Sequence, residues 1–388
     1  MAASLPGRTL ERPSFAEAFA GPAFIRAMLA FEAALARAQG AEEAIPLEAA
    51  QIIAVTCRGA RIDEDALVAE GKLSATLALP LVKMLKAEVA RVDAAAAKHV
   101  HAGATSQDVL DTAMALCLAR CLEEADRALE GVIRALARRA VEHRATPMLG
   151  RTLMQPAIPI TAGLKIARWA HALAHDRERL ADAAEAGLAL QLGGPVGALE
   201  SMGPKGPAVR HRMALELGLA PVTSWQSHRN AWIDLMDRIA QVVLTAGKIA
   251  RDVALGAQPE VGEMLEAPPR EGVGASSAMP HKRNPVGCAH GLAAAITAPG
   301  LLAAIHAGGI AEHERALGGW QAELALVPQL AGTLGTALDF LETIGASLVV
   351  DAARMGENVV RFGEAGLDAR ACDTATGELL EALAPYLT

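Results

Sequence analysis

In a chain of 388 residues rich in alanine and leucine, three short polar stretches stand out by residue type and spacing. The first is His101–Asp108 (HAGATSQD), with Asp111 and Thr112 behind it. Thr105, Ser106 and Gln107 fall where a helix is expected to begin, and hydroxyls and free backbone N–H groups at such a start can hold a carboxylate. The same residues also spell a plain helix cap, with an acid in the first turn. The second stretch, Gly150–Ala157 (GRTLMQPA), sets Arg151, Thr152 and Gln155 among apolar neighbours. It reads as a polar loop between two helices, either as contact surface or as simple connection. The third, Gly274–Pro285 (GASSAMPHKRNP), combines small residues that leave backbone amides accessible with the donors Lys282 and Asn284. That is the composition of an oxyanion or carboxylate nest. Met279 and the two prolines set it apart from a flexible linker.

Positioning these stretches falls to helices. Aromatic residues make up only 3% of the chain and hydrophobic residues 52%, a balance rich in helix formers and poor in strand formers. It predicts an all-α protein whose bundles pack through small side chains. Phe24–Gln39 (FIRAMLAFEAALARAQ) reads as an amphipathic helix closed by Gly40. More helix is expected to about Ala97, interrupted near Gly59 and Gly71. A long helix should follow from about Asp108 to His143, and another after Pro159 to about Leu190. The strongest periodic signal is Trp232, Leu235, Met236, Ile239, Val242, Val243, Ala246, Ile249, Ala250 and Val253, one apolar stripe over many turns. Pro259–Pro285, punctuated by proline and glycine, is a long loop of the kind that usually carries function. Helices resume to about Ile344. The expected organisation is an N-terminal helical domain (1–104), a central bundle of long helices (105–340) carrying the loop 259–285, and a short C-terminal helical region (341–388). Long helices with wide apolar faces need partners, so an oligomer is expected.

Charge and cysteine usage narrow the function classes. With 36 basic and 44 acidic residues and no basic block, a nucleic-acid surface is not expected. An acidic balance still allows an anionic substrate, because local donors can reverse the field in a cleft. The five cysteines are scattered and odd in number, which fits a reducing compartment and a cytoplasmic location. Cys117 and Cys121 share a helix face without a nearby histidine pair, so they read as small core residues rather than zinc ligands. Met1–Leu10 holds no apolar run of signal-peptide length. Gly291–Ile310, which contains Pro299 and His306, reads as a buried bundle helix rather than a membrane span.

The string SSAMPHKRNP resembles the signature loop of the fumarase/aspartase superfamily. GATSQD and RTLMQPAIP resemble that family's two other active-site segments, in the same order and at similar separations. The likeness runs from about Phe24 to Phe340, with Ala275 where many members have glycine. It implies three helical domains, a twenty-helix core in a homotetramer, and active sites that take one segment from each of three subunits. It implies a small polycarboxylate substrate and no metal or organic cofactor. By position in the motifs, Ser276 matches the catalytic serine, while Lys282 and Asn284 match carboxylate binders, Lys282 also steadying charge during catalysis. Thr105, Ser106 and Gln155 match substrate contacts, and Arg151 and Thr152 share the second segment with Gln155. His101 is expected to touch substrate from its place in the motif. Arg229 is a further possible contact, with a buried hydrogen-bonded role as its alternative. His281 and His313 are read as supporting residues.

Two further stretches bear on the reaction. His313–Glu323 (HERALGGWQAE) resembles the corresponding segment of bacterial 3-carboxy-cis,cis-muconate cycloisomerases, whereas adenylosuccinate lyases tend to run HERD-x-SHSS there. Gln191–Gly197 (QLGGPVG) is also similar to the cycloisomerases. Several lyases of the superfamily carry histidine after the Arg-Thr pair, where this chain has Leu153. Leucine cannot move a proton at a leaving group. A cycloisomerase does not require that, because its nucleophile is a substrate carboxylate already ionised near neutral pH. The implied activity is lactonisation of 3-carboxy-cis,cis-muconate in protocatechuate/β-ketoadipate catabolism, with Ser276 delivering a proton to carbon. Trp225–Asn230 (WQSHRN) departs from a cycloisomerase pattern close to WHTQRD, and the region after Gly345 is short. Both leave room for a sulfonate analogue of the substrate. An adenylosuccinate-lyase-like enzyme and a non-catalytic, crystallin-like relative are the other readings.

Overall fold

The computed structural model describes residues 5–268, 270, 272–276, 278–279, 282–363 and 366–387. Helices account for nearly all the regular structure, as the composition predicts. The N-terminal third holds α1 (Pro13–Ala18), α2 (Gly21–Ala41), α3 (Leu47–Gly59), α4 (Glu64–Ser74) and α5 (Ala78–Val92). Five long helices then form the bundle: α6 (Ser106–Glu142), α7 (Ala162–Gly187), α9 (Asn230–Gly256), α10 (Val286–Gly308) and α11 (Gly319–Ser347). The shorter α8 (Gly206–Leu217) follows α7, and α12 (Ala352–Phe362), α13 (Ala369–Ala382) and α14 (Ala384–Leu387) close the chain.

Every residue of the predicted stripe from Trp232 to Val253 is buried on α9. Each large apolar side chain so placed contributes roughly 1.5–3 kcal/mol relative to exposure. The stripe therefore orients α9 against α7, α10 and α11. α10 packs in the bundle against α9 and α11 but is only partly covered. Among its 23 residues only Cys288, Gly291, Ala294, Ala298 and Ile305 are buried, a single narrow stripe, while Ile296 is 72% exposed. The helix is apolar all round, so burying one side leaves the other open in a single chain. By length and composition, α10 and α11 could each cross a bilayer, but α11 is mostly buried within the bundle.

The expected polar loop at 150–159 is instead an antiparallel hairpin of β1 (Pro147–Thr152) and β2 (Gln155–Thr161). Pro156 and Pro159 hold β2 extended, and a two-residue turn joins the strands at the Thr152–Gln155 pair. A second small pair, β3 (Met264–Glu266) and β4 (Leu348–Val350), ties the long loop to the end of α11.

The bundle has two distinct ends. At 37 residues, α6 is about 55 Å long at ~1.5 Å per residue. Around its N-terminus lie Gln191 (after α7), Gln226 and Arg229 (before α9), and Arg315 (between α10 and α11). Past its C-terminus lie the hairpin, Glu263 and Glu266 of the long loop, and the last residue of α11.

Candidate active site

At the N-terminal end of α6, Thr105 and Asp108 form a capping box, with the Thr105 N–H donating to Asp108 Oδ2 at 3.0 Å. The plain cap reading of HAGATSQD is therefore present. Asp108 does more than cap, however. Its buried carboxylate also accepts from Gln191 Nε2 at 2.8 Å and from the N–H groups of Gly193 and Gly194, both at 3.0 Å. Burial pushes Asp108 up to about 6, and these donors offset part of that rise. Gln191 is held in turn, its Oε1 accepting from the Trp225 N–H. Arg315 Nη2 donates to Thr105 Oγ1 at 2.7 Å and to the Pro195 carbonyl at 2.9 Å. QLGGPVG and HERALGGW thus brace the segment that begins α6. Ser106, its first helical residue, is half-buried. His101 is mostly buried and sits in the left-handed backbone region, at φ +63°.

Arg229 has the geometry of the buried, hydrogen-bonded brace that is its alternative reading. It is 3% exposed. Nη1 and Nη2 donate to Asp111, while Nε and Nη2 donate to Glu323. Its face lies over the Trp225 ring at 4.6 Å. Four of its five N–H groups are engaged by the two buried acids.

At the opposite end, Arg151 is also committed. Nη1 and Nη2 donate to the two oxygens of Glu263 at 2.7 and 2.8 Å, and Asn358 Nδ2 donates to the same buried carboxylate. In this chain Arg151 ties the hairpin to the long loop. Thr152 and Gln155 are exposed beside the turn. The turn residues Leu153 and Met154 both have positive φ, +50° and +66°, a type I′ geometry that normally selects Gly or Asn. Leu153 is 95% exposed and Met154 67%, so the hairpin carries a strained apolar tip away from the body of the chain.

The signature loop folds back on itself. Ala275 pairs with Arg283, and the Asn284 N–H donates to the Gly274 carbonyl at 2.7 Å. Gly274 has φ +75°, and a Cβ there would sit 2.5 Å from the Asn284 carbonyl oxygen, so only glycine fits. Ser276 is half-buried, and its Oγ accepts from the N–H groups of Ala278 at 3.3 Å and Met279 at 3.2 Å. Lys282 and Asn284 are exposed on the returning arm. His281 lies outside the described residues. Glu266 accepts from the N–H groups of Gly287 and Cys288 at 2.8 and 2.9 Å, which fixes the start of α10 against the loop.

Within one chain, then, the hairpin and the signature loop share one end of the bundle. His101, Thr105 and Ser106 stand at the other, about the length of α6 away. The residues that sequence reasoning passed over are Glu32, Glu263 and Glu266, while Asp108 was read only as the acid of a cap and Arg315 only as part of HERALGGW. Glu32 had a readable signal, an acid on the apolar side of the helix Phe24–Gln39.

Known proteins bear on this geometry. A family model described as Lyase matches residues 9–300. The 3-carboxy-cis,cis-muconate cycloisomerase of Bradyrhizobium diazoefficiens is 46% identical over 333 residues, covering 86% of this chain and 74% of that protein. The nitrosuccinate lyase of Streptomyces davaonensis is 41% identical over 348 residues, covering 87% and 73%. Among solved structures, the 3-carboxy-cis,cis-muconate lactonizing enzyme from Pseudomonas putida matches with a TM-score of 0.85 at 33% identity, over 99% of this chain and 88% of that one.

Proposed function

Because this chain belongs to the lyase family of the fumarase/aspartase superfamily, we propose that it lactonises 3-carboxy-cis,cis-muconate to a carboxymuconolactone in protocatechuate/β-ketoadipate catabolism. The observation that carries the chemistry is the Ser276 hydroxyl, whose oxygen accepts two backbone N–H groups. A substrate carboxylate oxygen adds to the double bond, forming the lactone C–O bond. The electron pair moves to the adjacent carbon and is delocalised into a neighbouring carboxylate. Ser276 gives its proton to that carbon. The alkoxide left behind is stabilised by the Ala278 and Met279 N–H groups and by the charge of Lys282, and solvent restores its proton. His101, Thr105, Ser106, Thr152, Gln155 and Asn284 hold the substrate carboxylates.

No single copy can assemble this set, since α6 separates its two halves by about 55 Å. The site is shared between subunits of a homotetramer, and the open apolar face of α10 supports such an assembly. The exposed hairpin tip is the element best placed to reach a neighbouring copy. Leu153 at that tip favours a reaction that needs no acid for a leaving group. An elimination that expels a stable anion shares this property. With the nitrosuccinate lyase relative, that makes such a lyase the second reading. The enzyme would work on a small cytoplasmic polycarboxylate.

Ultraviolet absorbance tests the proposal with a panel of substrates. Loss of the diene absorbance of 3-carboxy-cis,cis-muconate is expected, with 3-sulfomuconate as the nearest competitor. Adenylosuccinate, argininosuccinate and fumarate should be left intact. Brisk cleavage of adenylosuccinate with no turnover of any muconate would overturn the assignment. Mixing inactive Ser276→Ala chains with inactive Thr105→Val chains, followed by reassembly, should restore part of the activity, because hybrid tetramers contain sites with neither substitution.

A further inference from the structure

We propose that Glu32, inside α2, is a positioning residue that holds His101 as an imidazolium, leaving its Nε2–H as a charged donor for a substrate carboxylate. The inference rests on the reading of His101 as a substrate contact. Glu32 is 1% exposed on the apolar face of α2. Its Oε1 meets His101 Nδ1 at 2.6 Å, and among the described residues its Oε2 has no hydrogen-bond partner. A buried carboxylate is costly unless a cation compensates it, and the imidazole is the one partner described for this one. The pair runs from the core outward, since the Glu32 side chain is fully buried while that of His101 keeps 16% exposure. Nδ1 is taken by Glu32, so the second ring nitrogen is the one left for a ligand.

The backbone around His101 is anchored from the same helix. Seven residues beyond Glu32, two turns along the same face of α2, Gln39 Nε2 donates to the Ala102 carbonyl at 2.7 Å. Gly103 follows at φ +74°, where a Cβ would lie 2.7 Å from Ser201 Oγ and 2.9 Å from Met202 Cε. A left-handed histidine followed by a left-handed glycine is a strained path, and two polar residues are buried in α2 to maintain it. A simple cap for α6 needs neither.

The charges around the ring agree with this assignment. Burial lowers the His101 pKa, but the charge and hydrogen bond of Glu32, with Asp108 of α6, more than offset it, and the pKa is raised. Lys86 of α5 opposes them. Cys57 of α3, which also feels Glu32, is pushed up to about 12, first by its own burial, and stays neutral. Substrate affinity should therefore fall as pH rises through the raised His101 pKa.

Glu32→Gln keeps the shape but removes the charge that holds the proton. Above neutral pH it is expected to raise KM for 3-carboxy-cis,cis-muconate by roughly tenfold, the weakening of about one charge-assisted contact, with kcat within about twofold. The alkaline limb of kcat/KM should move to lower pH, and Glu32→Asp should restore most of the wild-type profile. Deuterium exchange at the imidazole Cε1–H, read by mass spectrometry across pH, reports the His101 titration without any substrate. Its midpoint in the wild-type assembly is expected above the ordinary histidine value of about 6.5, and lower in Glu32→Gln. A wild-type midpoint at or below that value would overturn the proposal even if no variant folds. So would superimposable pH profiles for wild type and Glu32→Gln. If the exchange behaves as expected but muconate is not turned over, the substrate assignment fails and the Glu32–His101 pairing stands.

Discussion

Replacing Arg229 with methionine separates its two roles cleanly. In the native chain the guanidinium donates to both oxygens of Asp111 and both oxygens of Glu323, and Trp232 Nε1 adds a further bond to Glu323 Oε2 at 2.8 Å. Both acids are 3% exposed. Methionine fills much of the same volume but leaves two buried carboxylates without their cation. Removing one partner of a buried ion pair costs roughly 3–5 kcal/mol, and here two acids are orphaned, so the upper end applies. At roughly 1–2 °C per kcal/mol for a chain of 388 residues, the apparent melting temperature should fall by about 5 °C or more. Arg229→Lys should recover only part of this, because an ammonium cannot serve two bidentate acids. Circular dichroism melts at matched concentration, paired with KM and kcat below the transition, decide the matter. The variant should melt early while the surviving folded fraction keeps a near-normal KM. A variant that melts like wild type but binds substrate poorly would refute the structural assignment and return Arg229 to the substrate.

Ser276→Ala should lower kcat by roughly 10²–10⁴-fold with melting unchanged, while Lys282→Met should raise KM and lower kcat together; steady-state kinetics on 3-carboxy-cis,cis-muconate checks both. Leu153→His should reduce cycloisomerase turnover without creating adenylosuccinate cleavage, which the same absorbance panel checks. Light scattering at micromolar concentration should give about four times the 40.2 kDa chain mass; a fully active monomer would contradict shared sites. Asp108, raised to about 6 in the fold against ~3.9 when unfolded, takes up its proton first in the native state on acidification. Its contribution to stability therefore grows as pH falls from about 6 towards 4, and is lost as pH rises through 6. Urea melts should show the stability gap between wild type and Asp108→Asn widening on the acid side.

The long helices were legible because their apolar periodicity is a property of the chain alone. The stripe from Trp232 to Val253 is buried residue for residue. The hairpin at 147–161 was not legible, because its three prolines and its Leu-Met turn mimic an irregular loop, and type I′ turns are normally announced by glycine or asparagine. α10 packs in the bundle as its composition implies, but uniform apolarity signals burial without saying what buries it, and one chain covers only a narrow stripe. The motif segments were visible as polar islands. What sequence could not distinguish was which of their charged residues face a ligand and which face the fold. Arg151 and Arg229 have the residue type of substrate binders, yet each meets a buried acid far along the chain, Glu263 or Glu323, that no local pattern predicts.

Those partners share a logic. Each of the three segments is fixed by a buried or half-buried carboxylate of its own chain. Asp108 gathers four donors around the start of α6. Glu263 grips the hairpin through Arg151. Glu266 caps α10 and so anchors the arm that carries Lys282 and Asn284. A site assembled within one chain could let its parts shape one another on closing. Under the shared-site proposal, segments separated by the length of α6 cannot, because the groups that complete each of them would arrive on another copy. Each must therefore hold its working geometry before assembly, and multidentate acceptance by an acid achieves that at small cost in residues, since one carboxylate can bind up to four donors. On this view the buried acids are the counterpart of subunit sharing. Substituting Asp108 or Glu263 should impair the sites to which its own segment contributes while leaving the other two segments in place.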